Sequence, residues 1–517
     1  MEKRIDCIIA VPTFLDKNKK HIFSNLEMLG PEYIVSSLLY HGFSAKLFNA
    51  YSNDISQEEI IEEIKILNPK VIGITCASQR SYPSVIEFVK QIKTLEWNGT
   101  IIVGGFYATL EAERILRENS EIDFISLGEG EYSFPNLVSA VINGKPICGL
   151  DGIGYRENEE IKINEPKRIE SLDFPFLPYR FPITKNAVSN MVDGKYIPGI
   201  YYNISAGRGC YGRCSFCSIN AYEGIRKRIY RSPSKVVDEM EFLKNEFGTT
   251  HIWFNDEIFY ERSIRGRTWL QEFCVELRQR NLGMTFNIEL RPNDVNLEEL
   301  QMLKSVGLTA IFIGIESGIQ RILDEMRKDT TVDINKRALS ILSKLDIKIE
   351  MGWIALVPTM TFEELEANYD FLFSTECYTE ENIYNRFNLY PGCYYEKILN
   401  EMNLLNPDSP FYDRFGYDFV DKKVRIFTEL VDYLRSEFGP VKERTLYVQE
   451  KVAIHGDYTE YLRIRSLQKK LWRNLIPELL ALVKAQKIWD ADSLRHTELY
   501  SWFKNQLEQI QNSIVEV

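Results

Sequence analysis

Three cysteines lie close together near the middle of the 517-residue chain. Cys210, Cys214 and Cys217 form a Cys-x3-Cys-x2-Cys pattern within the segment Gly-Arg-Gly-Cys-Tyr-Gly-Arg-Cys-Ser-Phe-Cys. Thiolates are ligands for soft metal centres, and glycines let a short loop fold around such a centre. Arg208 and Arg213 would offset part of the negative charge of the thiolates. The spacing therefore indicates a metal site.

The kind of metal site depends on how many ligands the chain supplies. A structural zinc ion normally has four protein ligands, and the nearest downstream histidine is His251, beyond a predicted helix. A zinc site with three cysteines and one histidine, and buried thiols without metal, are the alternatives. Iron–sulfur clusters are ordinarily held by cysteine thiolates. Three ligands on a four-iron cluster would leave one iron open to a substrate or cofactor, and we favour this interpretation.

The elements around the cysteines alternate between strands and helices. A strand predicted at 201–205 comes directly before the cysteine loop. Further strands are predicted at 251–254, 285–290, 310–315, 349–356 and 382–389, with helices between them. Six strand–helix repeats predict a parallel barrel or partial barrel, whose chemistry belongs at the carboxyl ends of its strands.

The first part of the chain shows a similar alternation. Short apolar strands are predicted at 6–11, 45–48, 71–75, 100–103 and 122–126, separated by helices at 32–40, 60–66, 84–92 and 110–117. Continuous apolar strands are typical of a parallel sheet covered on both faces. Such a sheet binds ligands beyond the carboxyl ends of its strands, here at 75–78, 104–109 and 128–131. No GxGxxG follows the first strand, so a dinucleotide site is a weak interpretation.

These patterns predict an α/β protein of several domains, because a chain of this length exceeds one ordinary core. We expect a Rossmann-like, doubly wound parallel sheet at 1–150 and a proline-containing linker at 151–198. A partial (β/α)6 barrel is expected at 199–395. Residues 396–517 are expected to be mainly helical and contain no motif.

Composition excludes several classes of protein. The 62 Lys and Arg residues against 74 Asp and Glu give a net charge of −12, which argues against nucleic acid as the main partner. The basic run of Arg226, Lys227, Arg228 and Arg231 is more typical of a solvated face or a loop beside the cluster. No stretch reaches the ~20 apolar residues of a membrane span. Nine cysteines, an odd number, do not suit a secreted disulfide scaffold, so we expect a cytoplasmic protein.

The cysteine loop after the first barrel strand resembles that of the radical S-adenosylmethionine (SAM) superfamily. The resemblance implies a [4Fe-4S] cluster on the three cysteines, with the open iron binding the methionine part of SAM. It also places an aromatic residue beside the adenine, an acidic residue on the SAM amino group and a Glu on the ribose. The implied SAM-binding residues are Phe216, Asn255, Asp256, Glu289, Arg291, Glu316 and Ser317. The segment 356–359 departs from the family pattern, because it lacks the usual glycine before its proline.

The N-terminal part is similar to the cobalamin-binding domain that precedes many radical SAM modules. The motifs that carry the resemblance are Gly-Pro-Glu-Tyr at 30–33, Val-Ile-Gly-Ile-Thr at 71–75, Val-Gly-Gly-Phe-Tyr-Ala-Thr at 103–109 and Gly-Glu-Gly-Glu at 128–131. The implied cobalamin-binding residues are Thr75, Ser78, Gly104, Gly105, Tyr107, Gly128, Glu129 and Gly130. The Asp-x-His-x-x-Gly signature is absent, so we expect no protein imidazole on cobalt. His21 is the one histidine that could contradict this expectation.

Together, these resemblances imply a cobalamin-dependent radical SAM enzyme, most simply a C-methyltransferase. A 5′-deoxyadenosyl radical would abstract hydrogen from an unactivated carbon of a small-molecule or peptide substrate, which would then take a methyl group from cobalamin. An electron donor such as flavodoxin or ferredoxin is implied as a partner. Tyr384, Arg386 and Asn388 are candidates for substrate contact. The alternatives are a radical SAM cyclase or rearrangement enzyme, with or without cobalamin, and a non-catalytic metal-binding module.

Overall fold

The fold is seen in a computed structural model that describes residues 5–13, 27–50, 55–182, 187–192, 195–199, 201–223, 227–455 and 459–514. Its N-terminal part is built on a seven-stranded sheet with the order β2-β1-β3-β4-β5-β6-β7. The strands are β1 (Cys7–Val11), β2 (Ala45–Asn49), β3 (Val71–Thr75), β4 (Thr100–Gly104), β5 (Phe124–Ser126), β6 (Ile153–Glu157) and β7 (Glu160–Asn164). Strands β1 to β5 are parallel. The order 2-1-3-4-5 is that of a doubly wound sheet, whose ligand site lies where the strand order reverses, between β1 and β3.

Helices cover both faces of this sheet, as the sequence predicts. Alternate residues of β1 enter different apolar clusters: Ile8 and Ala10 face one layer of helices, whereas Cys7, Ile9 and Val11 face the other. The helix expected at 110–117 is in fact two, which meet at residue 111. The helices are Leu29–Tyr40, Gln57–Leu67, Tyr82–Lys93, Phe106–Leu110, Ala112–Glu118 and Gly130–Asn143.

The segment expected to be a linker contains more regular structure than its sequence indicates. Strands β6 and β7 form a hairpin that adds to the first sheet antiparallel to β5, and Ile153 is fully buried. The prediction of a connector is therefore wrong for 153–164. Edge strands of this kind mix buried and exposed residues over a short length, which leaves little periodicity to detect. A second hairpin follows, formed by β8 (Ala187–Val192) and β9 (Lys195–Gly199).

The central part is built on a five-stranded parallel sheet with the order β10-β13-β14-β15-β16. A two-residue antiparallel pair, β11 with β12, closes the loop that contains the cysteines. The strands are β10 (Tyr201–Ile204), β11 (Gly207–Arg208), β12 (Ile229–Tyr230), β13 (His251–Phe254), β14 (Thr285–Leu290), β15 (Leu308–Glu316) and β16 (Lys348–Trp353). The sheet and its helices form the predicted partial barrel.

The sixth barrel strand, predicted at 382–389, is wrong in its detail. Residues Glu380–Tyr384 are helical, and the Asn382 side chain accepts a hydrogen bond of 2.7 Å from the Thr379 backbone N–H at the start of that helix. Only one parallel bridge, between Leu356 and Arg386, occupies the position of a sixth strand. The local cap thus favours a helix over the apolar run that suggested a strand.

Helices surround the barrel sheet and form the C-terminal part. Those around the barrel are Ser218–Glu223, Pro233–Phe247, Ile264–Arg280, Leu297–Lys304, Gln320–Glu325, Val332–Leu342, Phe362–Ser374 and Glu380–Tyr384, with a 3-10 turn at Pro292–Asp294. The later helices are Tyr394–Glu401, Lys422–His455, Thr459–Lys484, Ala491–Arg495 and Glu498–Ser513. The C-terminal helices continue the apolar cluster of the barrel, with Trp472 fully buried among them. Over the described ranges, no helix is long and apolar enough to cross a membrane.

Candidate functional site

The three cysteines lie in the loop that begins at the carboxyl end of β10, the end at which a parallel barrel does its chemistry. Cys214 is buried, and Cys210 and Cys217 are partly exposed. Burial raises the pKa of Cys210 and raises that of Cys217 to about 12. Metal ligation requires thiolates, so binding to iron would release protons from these two residues.

The positive charges near the thiols are not those that the sequence suggested. Arg213 makes two hydrogen bonds, of 3.0 and 2.9 Å, to the carboxylate of Asp329 on the surface. Instead, Arg291 Nη1 lies 3.2 Å from Cys214 Sγ. Lys328, which the sequence reading missed, is also buried near the Cys214 sulfur. Two buried cations therefore favour thiolates in this loop.

The geometry does not support a zinc site with His251 as the fourth ligand. His251 opens β13 and pairs in register with Tyr201 at the start of β10, whereas the cysteine loop follows the opposite end of β10. Burial lowers the pKa of His251 to about 3, and its Nδ1 lies 2.7 Å from Thr285 Oγ1. Among the described residues, no three Cys, His, Asp or Glu side chains converge on one metal position. Cluster ligands each bind a different iron, so a four-iron cluster does not need that convergence.

Asp256 is placed differently from its predicted role on SAM. Its side chain is fully buried and forms an ion pair with Arg228, and its Oδ2 accepts a hydrogen bond of 3.0 Å from the Ala206 backbone N–H. Burial raises its pKa to about 6. Arg231, from the same basic run, is buried against Glu239. The run is therefore internal at both arginines, not a solvated face, while Arg226 lies outside the described residues.

Arg291 and Ser317 are also occupied by contacts within the protein. Besides Cys214, Arg291 donates to the carbonyl oxygen of Lys328, and its guanidinium lies 5.2 Å from the Tyr211 ring centre. The Ser317 hydroxyl donates to Asn368 Oδ1 at 2.9 Å and is fully buried. Both residues hold loops at the strand ends in place.

Glu316 ends β15 in an unusual backbone conformation. Its φ of +64° lies in the left-handed region, which is uncommon for residues other than glycine and is often found at functional sites. The carboxylate forms an ion pair of 2.7 Å with Lys328 Nζ. A Cβ at Gly314 would lie 2.5 Å from a carboxylate oxygen of Glu316, so the glycine makes room for this side chain.

Within the described residues, the side chains of Asn255 and Glu289 form no hydrogen bond or ion pair. Asn255 is exposed, and Phe216 is partly buried with Lys328 Nζ 6.0 Å from its ring centre. Burial raises the pKa of Glu289 to about 8, with a further contribution from the neighbouring carboxylates of Asp256 and Glu257. Glu289 therefore keeps its proton at neutral pH.

A cavity of about 310 Å³ lies between the first sheet and the barrel. On one side it is lined by residues at the carboxyl ends of β1, β3, β4 and β5, and on the other by the start of the cysteine loop and the end of β13. Six of the eight predicted cobalamin residues line it: Thr75, Gly104, Gly105, Gly128, Glu129 and Gly130. Ser205, Gly207, Arg208, Asn255 and Glu257 line it from the barrel side. Because β1 and β3 flank the switch point of the sheet, the cavity lies where a doubly wound fold takes its ligand.

Two glycines of the cavity wall are required by their backbone conformation and by close contacts within the protein. Gly105 has a φ of +102°, and a Cβ there would lie 3.0 Å from the carbonyl oxygen of Cys76. Gly128 has a φ of +68°, and a Cβ there would lie 2.7 Å from Pro166. Only glycine meets both demands at low cost. No histidine is among the described residues that line the cavity, and His21 lies outside the described ranges.

Ser78 and Tyr107 do not line this cavity, contrary to expectation. Ser78 closes a turn with Ser81, whose hydroxyl donates to the Ser78 carbonyl oxygen at 2.7 Å. Tyr107 is buried, and its hydroxyl donates to the carbonyl oxygen of Phe411 at 3.3 Å. It therefore docks the C-terminal part of the chain onto the first sheet.

Two of the expected substrate residues, Tyr384 and Arg386, contact the C-terminal part of the chain. Tyr384 is buried against Trp472, with ring centres 5.5 Å apart. The Nε of Arg386 donates to the Tyr417 hydroxyl at 3.1 Å. Both residues pack against the C-terminal part. Asn388 is partly exposed.

Arg208 connects the cavity with the cysteine loop. Its guanidinium forms ion pairs with Glu129, at 3.0 Å, and with Glu131. Glu129 ends the glycine-rich loop after β5, and Glu131 lies in the first turn of the helix Gly130–Asn143. The neighbouring Gly209 N–H donates to Glu257 Oε2 at 3.0 Å. The residue next to Cys210 is thus fixed by groups that line the cavity.

Comparison with known proteins agrees with this two-part architecture. The B12 binding domain family matches residues 21–138, and the radical SAM superfamily matches residues 204–372. An uncharacterized methyltransferase of Pyrococcus horikoshii is 27% identical over 372 residues, which cover 71% of this chain and 78% of that protein. The anaerobic magnesium-protoporphyrin IX monomethyl ester cyclase of Rubrivivax gelatinosus is 30% identical over 357 residues, which cover 65% of this chain and 60% of that protein.

Two solved structures share the fold. The cobalamin-dependent SAM radical enzyme OxsB with aqua-cobalamin bound has a TM-score of 0.72 and 19% identity, over 99% of this chain and 80% of that chain. The radical SAM methyltransferase TsrM from Kitasatospora setae has a TM-score of 0.61 and 16% identity, over 81% of each chain.

The chain is a cobalamin-dependent radical SAM enzyme, with a B12-binding domain ahead of a radical SAM domain. Its cofactors are accordingly a [4Fe-4S] cluster, SAM and cobalamin. The predicted fold class and cofactor set are confirmed.

Proposed function

We propose that this enzyme methylates an unactivated carbon of a small-molecule or peptide substrate. The observation that carries the proposal is a cavity that is bounded both by the glycine-rich strand ends of the first sheet and by the mouth of the barrel. When bound, the cluster and SAM supply a 5′-deoxyadenosyl radical and cobalamin supplies a methyl group. A shared cavity lets one substrate carbon meet both chemistries without leaving the protein.

The cysteine loop is proposed to hold the cluster through Cys210, Cys214 and Cys217. Arg291 and Lys328 stabilise the negative charge of this site, because both are buried cations beside the Cys214 sulfur. Arg291 is 3.2 Å from that sulfur and cannot turn toward SAM without losing the contact. We therefore assign Arg291 a positioning role at the cluster.

Side chains at the ends of the following strands are proposed to bind SAM. Asn255, Glu289 and Glu316 present polar groups at the ends of β13, β14 and β15, and Phe216 presents an aromatic face beside the cysteine loop. Rigid strands hold such groups more accurately than loops. Asp256 acts through Arg228 and the Ala206 backbone, which it holds in place. Ser317 acts through Asn368, to which its hydroxyl donates.

The glycine-rich loops of the first sheet are proposed to bind cobalamin. Thr75, Gly104, Gly105, Gly128 and Gly130 bring backbone close to the cavity. Glu129 does so as well, while it holds Arg208. The ring system would lie over the carboxyl edge of the sheet and face the barrel, which excludes water from the space between the cofactors.

Relatives support methylation, and one class of them supports a second candidate. The relative from Pyrococcus horikoshii is described as a methyltransferase, and the hopanoid C-3 methylase of Methylococcus capsulatus is 23% identical over 358 residues. The cyclase of Rubrivivax gelatinosus is more similar over its aligned part, at 30% identity. Ring closure without methyl transfer is therefore the second candidate.

Methyl transfer can be tested without knowing the substrate. The anaerobically reconstituted enzyme, with iron, sulfide and cobalamin counted, is reduced and incubated with SAM that carries a CD3 group. We expect the label on the protein-bound corrinoid, as detected by mass spectrometry after denaturation. An enzyme that binds all three cofactors, cleaves SAM to 5′-deoxyadenosine and leaves the corrinoid unlabelled would favour the cyclase candidate and contradict methylation.

An electron donor is part of the proposed function, because cleavage of SAM to the radical requires one electron. We propose a flavodoxin or ferredoxin in this role. The test compares 5′-deoxyadenosine formation with reduced flavodoxin, reduced ferredoxin and dithionite. Formation of 5′-deoxyadenosine with dithionite, but with neither reduced flavodoxin nor reduced ferredoxin, would contradict these proteins as partners.

A further inference from the structure

Three separate segments of the chain meet near the cysteine loop, and two of them carry arginines. They are the turn after β3 with Arg80, the segment after the Leu356–Arg386 bridge with Tyr390, and a C-terminal loop with Arg414. Gln79 Nε2 donates to the carbonyl oxygen of Leu389 at 2.9 Å, and the Leu389 N–H donates to the carbonyl oxygen of Arg414 at 2.9 Å. The three segments are thus joined by hydrogen bonds, and their relative positions are fixed.

The loop that carries Arg414 is itself rigid. Asp413 Oδ2 accepts from the Ser409 hydroxyl at 2.6 Å, and its Oδ1 accepts from the Phe415 backbone N–H at 2.9 Å. The carboxylate of Asp413, next in sequence to Arg414, is therefore occupied by its own loop. The Arg414 guanidinium lies 4.6 Å from the centre of the Phe415 ring, which orients it.

The guanidinium groups of Arg80 and Arg414 have no carboxylate partner of their own. Within the described ranges, neither donates a hydrogen bond nor forms an ion pair at contact distance. Arg414 is partly buried, and its burial together with the charges of Arg80 and Arg435 lowers its pKa from the usual range. A guanidinium carries five N–H donors in a planar fork. Arg80 is exposed, but Arg414 is half-buried beside like charges, which is unfavourable unless an anion occupies the space.

These arginines are not used to balance the cluster. The groups that act electrostatically on the thiols of Cys210 and Cys217 include Lys328, and for Cys210 also Arg291. The position is nevertheless close to the cysteine loop, because the Tyr395 N–H, in the same segment as Tyr390, donates to the Ser215 carbonyl oxygen at 2.8 Å. The charges of Cys217, Arg414 and Arg80 all act on the hydroxyl of Tyr390. An anion held here would lie at the mouth of the barrel, next to the cluster loop.

We propose that Arg80 and Arg414 bind an oxyanion of the substrate, a carboxylate or a phosphate, at the mouth of the barrel beside Cys217. Planar, bidentate binding of carboxylate and phosphate is the task to which guanidinium groups are best suited. The inference rests on the proposed function only in naming the bound molecule as the substrate. The site takes one residue from the B12-binding domain and one from the C-terminal part, so it forms only when the whole chain is folded.

The test measures how fast phenylglyoxal modifies each arginine of the anaerobically reconstituted holoenzyme, with peptides quantified by mass spectrometry. The probes are inorganic phosphate, pyrophosphate and succinate. At about 10 mM probe, a site with a Kd of about 1 mM would slow the modification of Arg80 and Arg414 about tenfold, since protection equals 1 + [L]/Kd. Arg117, which pairs with Glu113 on the surface, is the internal control and is expected to show no protection.

Protection by phosphate and pyrophosphate alone would identify a phosphate-bearing substrate, and protection by succinate a carboxylate-bearing one; both support the site. The Arg80→Gln variant should lose most of the protection at Arg414 while its visible cluster spectrum and bound cobalamin stay as in the wild type. The Arg80→Lys variant should retain part of it. Lack of protection by every probe, equal protection of Arg117, or undiminished protection of Arg414 in Arg80→Gln would overturn the proposal. None of these outcomes depends on methyl transfer, so failure here is distinct from failure of the proposed function.

Discussion

Replacement of Asp256 by Asn separates a structural role from a SAM-binding role. In the structure, the side chains of Asp256 and Arg228 are both fully buried and form an ion pair. The Asn variant keeps the shape but leaves the charge of Arg228 without a partner. Breaking a buried ion pair from one side costs about 3–5 kcal/mol. At 1.36 kcal/mol for each tenfold change, a cost of about 4 kcal/mol corresponds to roughly a thousandfold shift toward the locally open state.

Hydrogen exchange measures this opening where the pair is made. The Ala206 N–H donates to Asp256 Oδ2, and the Arg231 N–H donates to the Ala206 carbonyl oxygen at 2.9 Å. We expect both amides to exchange up to about a thousandfold faster in Asp256→Asn, because local opening exposes them to solvent. Asn255→Ala is the matched control, since its exposed side chain lies next in sequence and its removal should leave exchange unchanged.

The double variant Arg228→Met with Asp256→Leu tests the reason for the effect. Replacing both partners of a buried pair by apolar groups is often neutral, so we expect slow exchange to return at the Arg231 amide, whose acceptor is the Ala206 carbonyl oxygen. The Ala206 amide should stay fast, because Leu at position 256 offers it no acceptor. If Asp256→Asn leaves exchange at Ala206 unchanged but abolishes SAM binding, the structural assignment is wrong and the acid binds SAM directly.

Three further predictions concern the proposed cofactor sites. Replacing Cys210, Cys214 and Cys217 together by Ala should remove the iron counted after anaerobic reconstitution; retained iron in this variant, or one stoichiometric zinc in the native protein, would contradict the cluster assignment. Gly105→Ala should reduce bound cobalamin, because the new Cβ meets the Cys76 carbonyl oxygen, whereas Gly144→Ala, with a φ of +61° and open space around it, should reduce stability without reducing cobalamin. In the folded protein Glu289 keeps its proton to about pH 8, whereas in the unfolded chain it loses the proton near the ordinary pKa of a glutamate. The wild type should therefore lose stability relative to Glu289→Gln as the pH rises from about 5 to 8. A difference in thermal midpoint between the two proteins that does not change with pH would refute this.

The fold was largely predictable because buried parallel strands leave a strong signal. Every parallel strand of the first sheet except β5 begins and ends within one residue of its predicted bounds. The prediction failed where the signal is ambiguous. An apolar run at 382–389 looked like a strand, but Thr379 and Asn382 cap a short helix there. The edge hairpin of β6 and β7 is too short and too mixed in polarity to stand out from a linker.

The candidate site was predictable in its chemistry but not in its pairings. Spacing alone located the cysteines, and strand ends located the polar groups near them. Which acid meets which base depends on tertiary packing that one sequence does not reveal. The resemblance to the radical SAM superfamily implies that Asp256 binds SAM, whereas in the structure Arg228, from a basic run more typical of a solvated face, enters the core and pairs with it. Lys328 had no signal at all, since it lies in a loop after the helix Gln320–Glu325 and meets Glu316 and Arg291 only in the folded chain.

The ion pairs of Arg208 with Glu129 and Glu131 connect the cysteine loop with the glycine-rich segment on the other side of the cavity. Arg208 is partly buried and lies next to the glycine that precedes Cys210, while Glu129 and Glu131 lie where the loop after β5 enters the helix Gly130–Asn143. A ligand that displaces either glutamate must therefore also act on the start of the cysteine loop. Coupling between two sites is reciprocal, so a change in the cysteine loop must act equally on the loop after β5. The short Gly-Glu-Gly-Glu segment thus serves both domains, which explains why it combines glycines that admit a ligand with glutamates that hold the neighbouring domain.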